Sequence, residues 1–93
     1  MILLTIDELK QQCRILSDDE NSLLEIYGAA AEEYAAAYIG RPLVAEEPAS
    51  IKAACLMLAA TMYAYRESES VAQTHELRAC KAMLDPHRVG SFL

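Results

Sequence analysis

The chain reads as all-α, a small bundle built around two long helices. Three observations point there. Apolar residues recur at three- and four-residue spacing through most of the 93 residues. Helix-end signals occur at several places, and almost no stretch alternates as a strand does. Only 3 Gly and 3 Pro are present, too few for a turn-rich sandwich or barrel. The length fits a single domain over residues 1–93.

A short first helix is expected at about 5–13. Thr5-Ile6-Asp7-Glu8 has the spacing in which hydroxyl and carboxylate reciprocally satisfy orphan N–H groups, and Ile6, Leu9 and Cys13 share a face. The second helix, about 18–39, opens on another such box, Ser17-Asp18-Asp19-Glu20, which puts three acids where the helix dipole favours them. Leu23, Leu24, Tyr27, Ala31, Tyr34 and Tyr38 form its inward stripe, and Glu25, Glu32 and Glu33 fall outside it. Gly40 and Pro42 end it. Residues 41–47 connect to a third helix, about 48–66, started by Pro48. Its stripe is Ile51, Cys55, Leu58, Met62 and Tyr65, but it is apolar nearly all round, the mark of a helix buried on several sides. A fourth, shorter helix at about 72–84 turns Leu77, Cys80 (or Lys81) and Leu84 inward and ends at Asp85-Pro86. An extended tail carrying Val89, Phe92 and Leu93 follows, and such apolar tails are often pinned to something.

Composition excludes several functions. Net charge is −6 and pI about 4.7, against a nucleic-acid binder that needs clustered Lys and Arg. A helix-turn-helix over residues 5–27 would set Asp18, Asp19, Glu20 and Glu25 against phosphates. Cys13, Cys55 and Cys80 are odd in number with no C-x-x-C pair, which predicts free, inert thiols in a reducing compartment. Met1-Ile-Leu-Leu is too short for a signal peptide, and the apolar run from Ala53 to Tyr65 is too short to span a bilayer. No phosphate loop, dinucleotide fingerprint, zinc-protease helix or nucleophile elbow is present. His75 and His87 lack partners at metal-pair spacing, and the adjacent acid pairs diverge on a helix. The expectation is therefore no catalytic residue, no cofactor and no metal.

What remains is association. Sixteen alanines bury little area, so a domain this small is marginal alone and is expected to gain stability from partner subunits. Residues 1–47 carry net −7 and residues 48–93 net +1, an asymmetry suited to head-to-tail contacts between copies. Arg41, Arg66 and Arg88 each lie at or after a helix end, placed either to interact with the helix C-terminus or to pair with acids of an adjacent subunit.

The order of features is more specific than any one of them. Leu4-Thr-Ile-Asp-Glu-Leu-Lys-Gln-Gln-Cys-Arg-Ile15 precedes the acids Asp18-Asp-Glu20, and a long helix ends in Ala37-Tyr-Ile-Gly-Arg-Pro-Leu43. Ile51-Lys-Ala-Ala then leads to Met62-Tyr-Ala-Tyr-Arg-Glu67, and Met83-Leu-Asp-Pro-His-Arg-Val89 closes the pattern. Over nearly its whole length the chain resembles the small head–tail connector proteins of tailed bacteriophages, also described as head-completion or possible DNA-packaging proteins. The resemblance implies a structural protein of the virion's head–tail junction, assembled in the host cytoplasm. Its protomers would form a ring of about a dozen copies on the phage portal protein. That ring would extend the channel through which genome DNA passes without sequence-specific binding, and offer a platform to the next connector or tail protein. It implies no membrane partner and no enzyme activity. Subunit or partner contacts are expected at Tyr38, Arg41, Leu43, Tyr65, Arg66, Arg88, Phe92 and Leu93. Leu84, Pro86 and Val89 match the closing motif. Two departures stand out: Ala64-Tyr65 replaces a more polar pair before Arg66, and the linker over residues 43–50 is short. The alternative from the residues alone is a small acidic helical adaptor or antitoxin-like module forming a dimer or heterodimer.

Overall fold

In a computed structural model, which describes residues 1–64 and 71–89, four α-helices follow one another with no strand among the described residues. They are α1 (Ile6–Cys13), α2 (Asn21–Ile39), α3 (Ala49–Ala64) and α4 (Val71–Leu84), and a single 3-10 turn, Asp85–His87, closes the described part. The central element is α3, with α2 packed on one side and α4 on another, while α1 crosses α2 and α3. Its all-round apolar sequence is explained by that position. Ile51, Ala54, Cys55, Leu58 and Ala59 are buried, and Thr61 satisfies its own hydroxyl by donating to the Met57 carbonyl at 2.8 Å.

Helix ends follow local chemistry at most positions. The Thr5 box forms as expected: Glu8 N–H donates to Thr5 Oγ1 at 3.1 Å, and Thr5 N–H donates to Glu8 Oε1 at 3.0 Å. α1 stops at Arg14, which takes a left-handed conformation (φ 59°) while Ile15 N–H reaches back to the Lys10 carbonyl at 2.9 Å. α3 begins one residue after Pro48, whose carbonyl accepts from Ile51 and Lys52 N–H.

The second helix corrects the sequence reading at its start. It begins at Asn21, and its N-cap, Glu20, makes no side-chain capping bond, so the Ser17–Glu20 box does not form and no acid lies in the first turn. Residues 17–20 instead make a turn in which Asn21 N–H bonds the Asp18 carbonyl and the Asp18 side chain pairs with Lys10 of α1. The inward stripe is also rotated. Leu24, Gly28, Ala31, Ala35 and Ile39 are buried, whereas Leu23, Tyr27, Tyr34 and Tyr38 sit half-buried along one edge. Glu32, expected outside the stripe, is buried.

That buried carboxylate organises the N-terminal segment. Leu3 and Leu4 are buried in the core, which carries their backbone N–H groups inside too. Glu32 accepts from Ile2 and Leu3 N–H at 3.0 Å each and from Leu4 N–H at 2.8 Å. Three backbone donors, those of Leu3 and Leu4 in buried bonds and that of Ile2 in a part-buried one, are thereby satisfied by one carboxylate. Nearby, α1 crosses α2 at Gly28, where an added Cβ would lie 2.9 Å from Leu9 Cδ1. Glycine here is a matter of space.

Among the described side chains of α4, Cys80 and Leu84 are buried and Lys81 is exposed, while Leu77, also expected inward, lies outside the described side chains. The sequence-expected tail begins with the 3-10 turn, and residues 90–93 lie outside the described ones.

Candidate functional site at the connector end

Two segments far apart in sequence meet at one end of the bundle. The first is the exit of α2 and its connector, Tyr38 to Glu47; the second is the closing segment, Leu84 to Val89. α2 ends because Gly40 adopts the left-handed region (φ 86°), its N–H donating to the Ala36 carbonyl at 2.9 Å. A Cβ there would come no nearer than 3.8 Å to a neighbouring atom, so the backbone angle is what requires glycine.

The connector is closed on itself by an ion pair. Arg41 Nη1 and Nη2 donate to Glu47 Oε2 and Oε1 at 2.7 and 2.8 Å, a parallel two-bond fork. Glu47 Oε2 also accepts Val44 N–H at 2.8 Å, and its side chain is only 2% exposed. The Arg41 guanidinium holds the Glu47 carboxyl down to about 2 against the opposing cost of burial, with help from the Val44 N–H and the nearby His87. Leu43, inside this loop, is buried; Val44 is exposed.

The closing segment fastens to the same place by four contacts. Val89 N–H donates to the Ile39 carbonyl at 2.7 Å. The Tyr38 hydroxyl donates to Asp85 Oδ1, and Asp85 in turn pushes the phenol pKa up. The Arg88 guanidinium lies over the Tyr38 ring, 5.0 Å from its centroid, and Tyr34 stacks beside Tyr38 at 6.4 Å with 5° between planes. Ser50 Oγ and His87 Nε2 are 2.7 Å apart, tying the segment to the first turn of α3.

Tyr38, Arg41, Leu43 and Arg88, four of the expected contact residues, are thus gathered at one end. Each makes contacts within its own chain: Arg41 bonds Glu47, Leu43 is in the core, and Tyr38 and Arg88 face each other. Tyr65, Arg66, Phe92 and Leu93 lie outside the described residues. The sequence reading missed Glu47, Asp85 and Glu32. Glu47 carried a weak signal, an acid six residues after Arg41 across a proline turn. Asp85 gave none beyond helix termination, because its partner is 47 positions away.

The arrangement offers rigidity and surface, with exposed Val44 and Val89 at the braced end. Among the described residues no group of His, Cys, Asp and Glu is placed to hold a metal ion. Cys55 and Cys80 are buried, and burial pushes the Cys55 thiol up to about 12, which keeps it protonated and unreactive. No described helix is long and apolar enough to cross a membrane.

Similarity to known proteins bears on the same segments. The family model described as phage gp6-like head-tail connector protein matches residues 3–88, a span that takes in both the connector and the closing segment. The head completion protein gp6 of Enterobacteria phage HK97 is 30% identical over 89 residues, covering 92% of this chain and 82% of that protein. No solved structure gives a significant match.

Proposed function

Because this chain belongs to the phage gp6-like head–tail connector family, we propose that it acts as a ring of identical subunits seated on the portal at the head–tail junction. The ring continues the channel for the genome and presents its outer surface to the next connector or tail protein. It works by binding and shape, without catalysis, and assembles in the host cytoplasm before joining the virion. Head completion, the role named for the relative from phage HK97, is the stage at which such a ring is added.

The observation that carries this reading is the match over residues 3–88, which spans the two segments that brace one end of the bundle. A docking subunit needs such a preorganised end, because ordering a loose one on contact would cost binding free energy. Charge agrees with the channel role. At net −6 the chain repels phosphate, so DNA can slide past without being gripped.

Absolute mass by light scattering after size exclusion, over a concentration series, tests the ring. A discrete species of many 10.3 kDa protomers is the expected result. Capture of that species by the portal protein of the same phage, with no salt-dependent retention of DNA, is expected alongside. A tight dimer at every concentration would instead favour an adaptor.

A further inference from the structure

The outward face of α2 and the described side chains of α4, residues 78–84, carry exposed charges of opposite sign. On α2 the exposed residues include Glu25, Ile26, Ala29 and Glu33, and a shallow groove lined by Ala30, Glu33, Tyr34 and Ala37 runs beside them. Ile26, on the same exposed face, is 63% exposed. Among the described side chains of α4 the exposed ones are Arg78, Ala79, Lys81 and Ala82. Neither acid of the α2 face nor either base of the α4 face has an ion-pair partner among the described residues. The one acid following the α4 face, Asp85, is engaged by the Tyr38 hydroxyl.

We infer that the α2 face of one copy docks on the α4 face of the next, a head-to-tail contact between two copies of this chain. The inference rests on the ring reading and specifies its contact. The occupant is another copy because one chain carries both halves of a complementary pair on helices that lie on different sides of α3. A two-fold contact through either face alone would set acid against acid or base against base, whereas a head-to-tail contact sets unlike charges together at every repeat. Alanines on both faces let the helices approach closely, with Ile26 reaching between Ala79 and Ala82. The Arg78 stem lies along the groove with its guanidinium at Glu33, and Tyr34 forms the groove's apolar wall.

Two charge-reversed proteins test this. Glu25→Lys/Glu33→Lys has two basic faces, and Arg78→Glu/Lys81→Glu has two acidic faces. Each alone is expected to fall to a single-protomer mass, and an equimolar mixture to recover an assembly of many protomers, since unlike copies can alternate. Recovery on mixing cannot come from a misfolded variant. A second measurement uses single cysteines in a Cys13→Ser background under mild oxidation. Ala29→Cys mixed with Ala82→Cys should yield the mixed cross-linked pair, with each alone yielding none. Wild-type assembly with both charge variants assembling equally well, or with cross-links only between like cysteines, would overturn this contact and leave the ring standing. A wild-type chain that stays a single protomer at every concentration would overturn the ring itself, and this contact with it.

Discussion

At the scale of single residues, the most consequential position is Glu32. Three consecutive backbone donors converge on it, two of them in buried bonds. Glu32→Gln keeps the size but replaces one acceptor oxygen with a donor that faces N–H groups. A loss of about 2–3 kcal/mol is expected, the cost of leaving a buried donor unmade together with a weaker remaining bond. Urea unfolding measures it, and amide exchange should show the Leu3 and Leu4 N–H groups losing protection first. Gly28→Ala is a second case in which two effects compete. Alanine gains up to about 1 kcal/mol of helix propensity. Its Cβ would sit 2.1 Å from Met1 Sδ, the end of a flexible side chain that can move aside, but also 2.9 Å from Leu9 Cδ1. Leu9 is fully buried and cannot yield, so overpacking of about 1–3 kcal/mol wins and thermal melting should show a net loss. Neither residue was legible from the sequence. Glu32 sits beside a second glutamate in an alanine-rich run, and its partners are about thirty positions away. Building the stripe from Leu23, Tyr27, Tyr34 and Tyr38 beside Leu24 and Ala31, in place of Gly28, Ala35 and Ile39, rotated it far enough to place Glu32 outside.

At the scale of elements, the helix-end chemistry that is purely local was readable: the Thr5 box, the Gly40 stop, the Pro48 start and the Asp85-Pro86 stop all hold. The Ser17 box was not: residues 17–20 form a turn closed by Asn21 N–H on the Asp18 carbonyl, and α2 starts only at Asn21. The candidate site divides in the same way. Arg41 and Arg88 were picked out by their helix-end positions, but Glu47, Tyr38 and Asp85 as their neighbours depend on how the chain returns. The connector carries a pH dependence whose sign is fixed. Glu47 ordinarily titrates near 4.5 and in the folded chain near 2, so the folded state binds fewer protons than the unfolded one across that interval. Its stabilising contribution is complete above about pH 4.5 and is lost as pH falls toward 2. Glu8, held low chiefly by Lys52, adds in the same direction. Melting temperatures of wild type and Glu47→Gln, measured across this range, should differ most at the neutral end and converge toward the acid end. A gap independent of pH would show that the ion pair contributes nothing.

For the whole molecule, the telling quantity is how stability responds to concentration. A 93-residue chain with sixteen alanines has a modest core, so association would add burial that the single chain lacks. If folded chains assemble and unfolded ones do not, mass action ties melting to protein concentration. For an assembly of n protomers each tenfold increase in concentration adds (n − 1)/n of about 1.4 kcal/mol per protomer. For a dimer that is half the full amount; for a ring of many copies it is nearly all of it. With about 4–8 °C per kcal/mol for a domain of this size, a ring should gain roughly 6–11 °C per decade of concentration and a dimer half as much. A monomer should gain nothing. Because the faces of α2 and α4 carry opposite charges, the melting temperature of the assembled protein should also fall with added salt, and fall less in Arg78→Glu/Lys81→Glu, which has no such contact to screen. A full concentration slope that salt leaves untouched would mean that copies associate through the apolar surface alone, and would move the contact away from the charged faces.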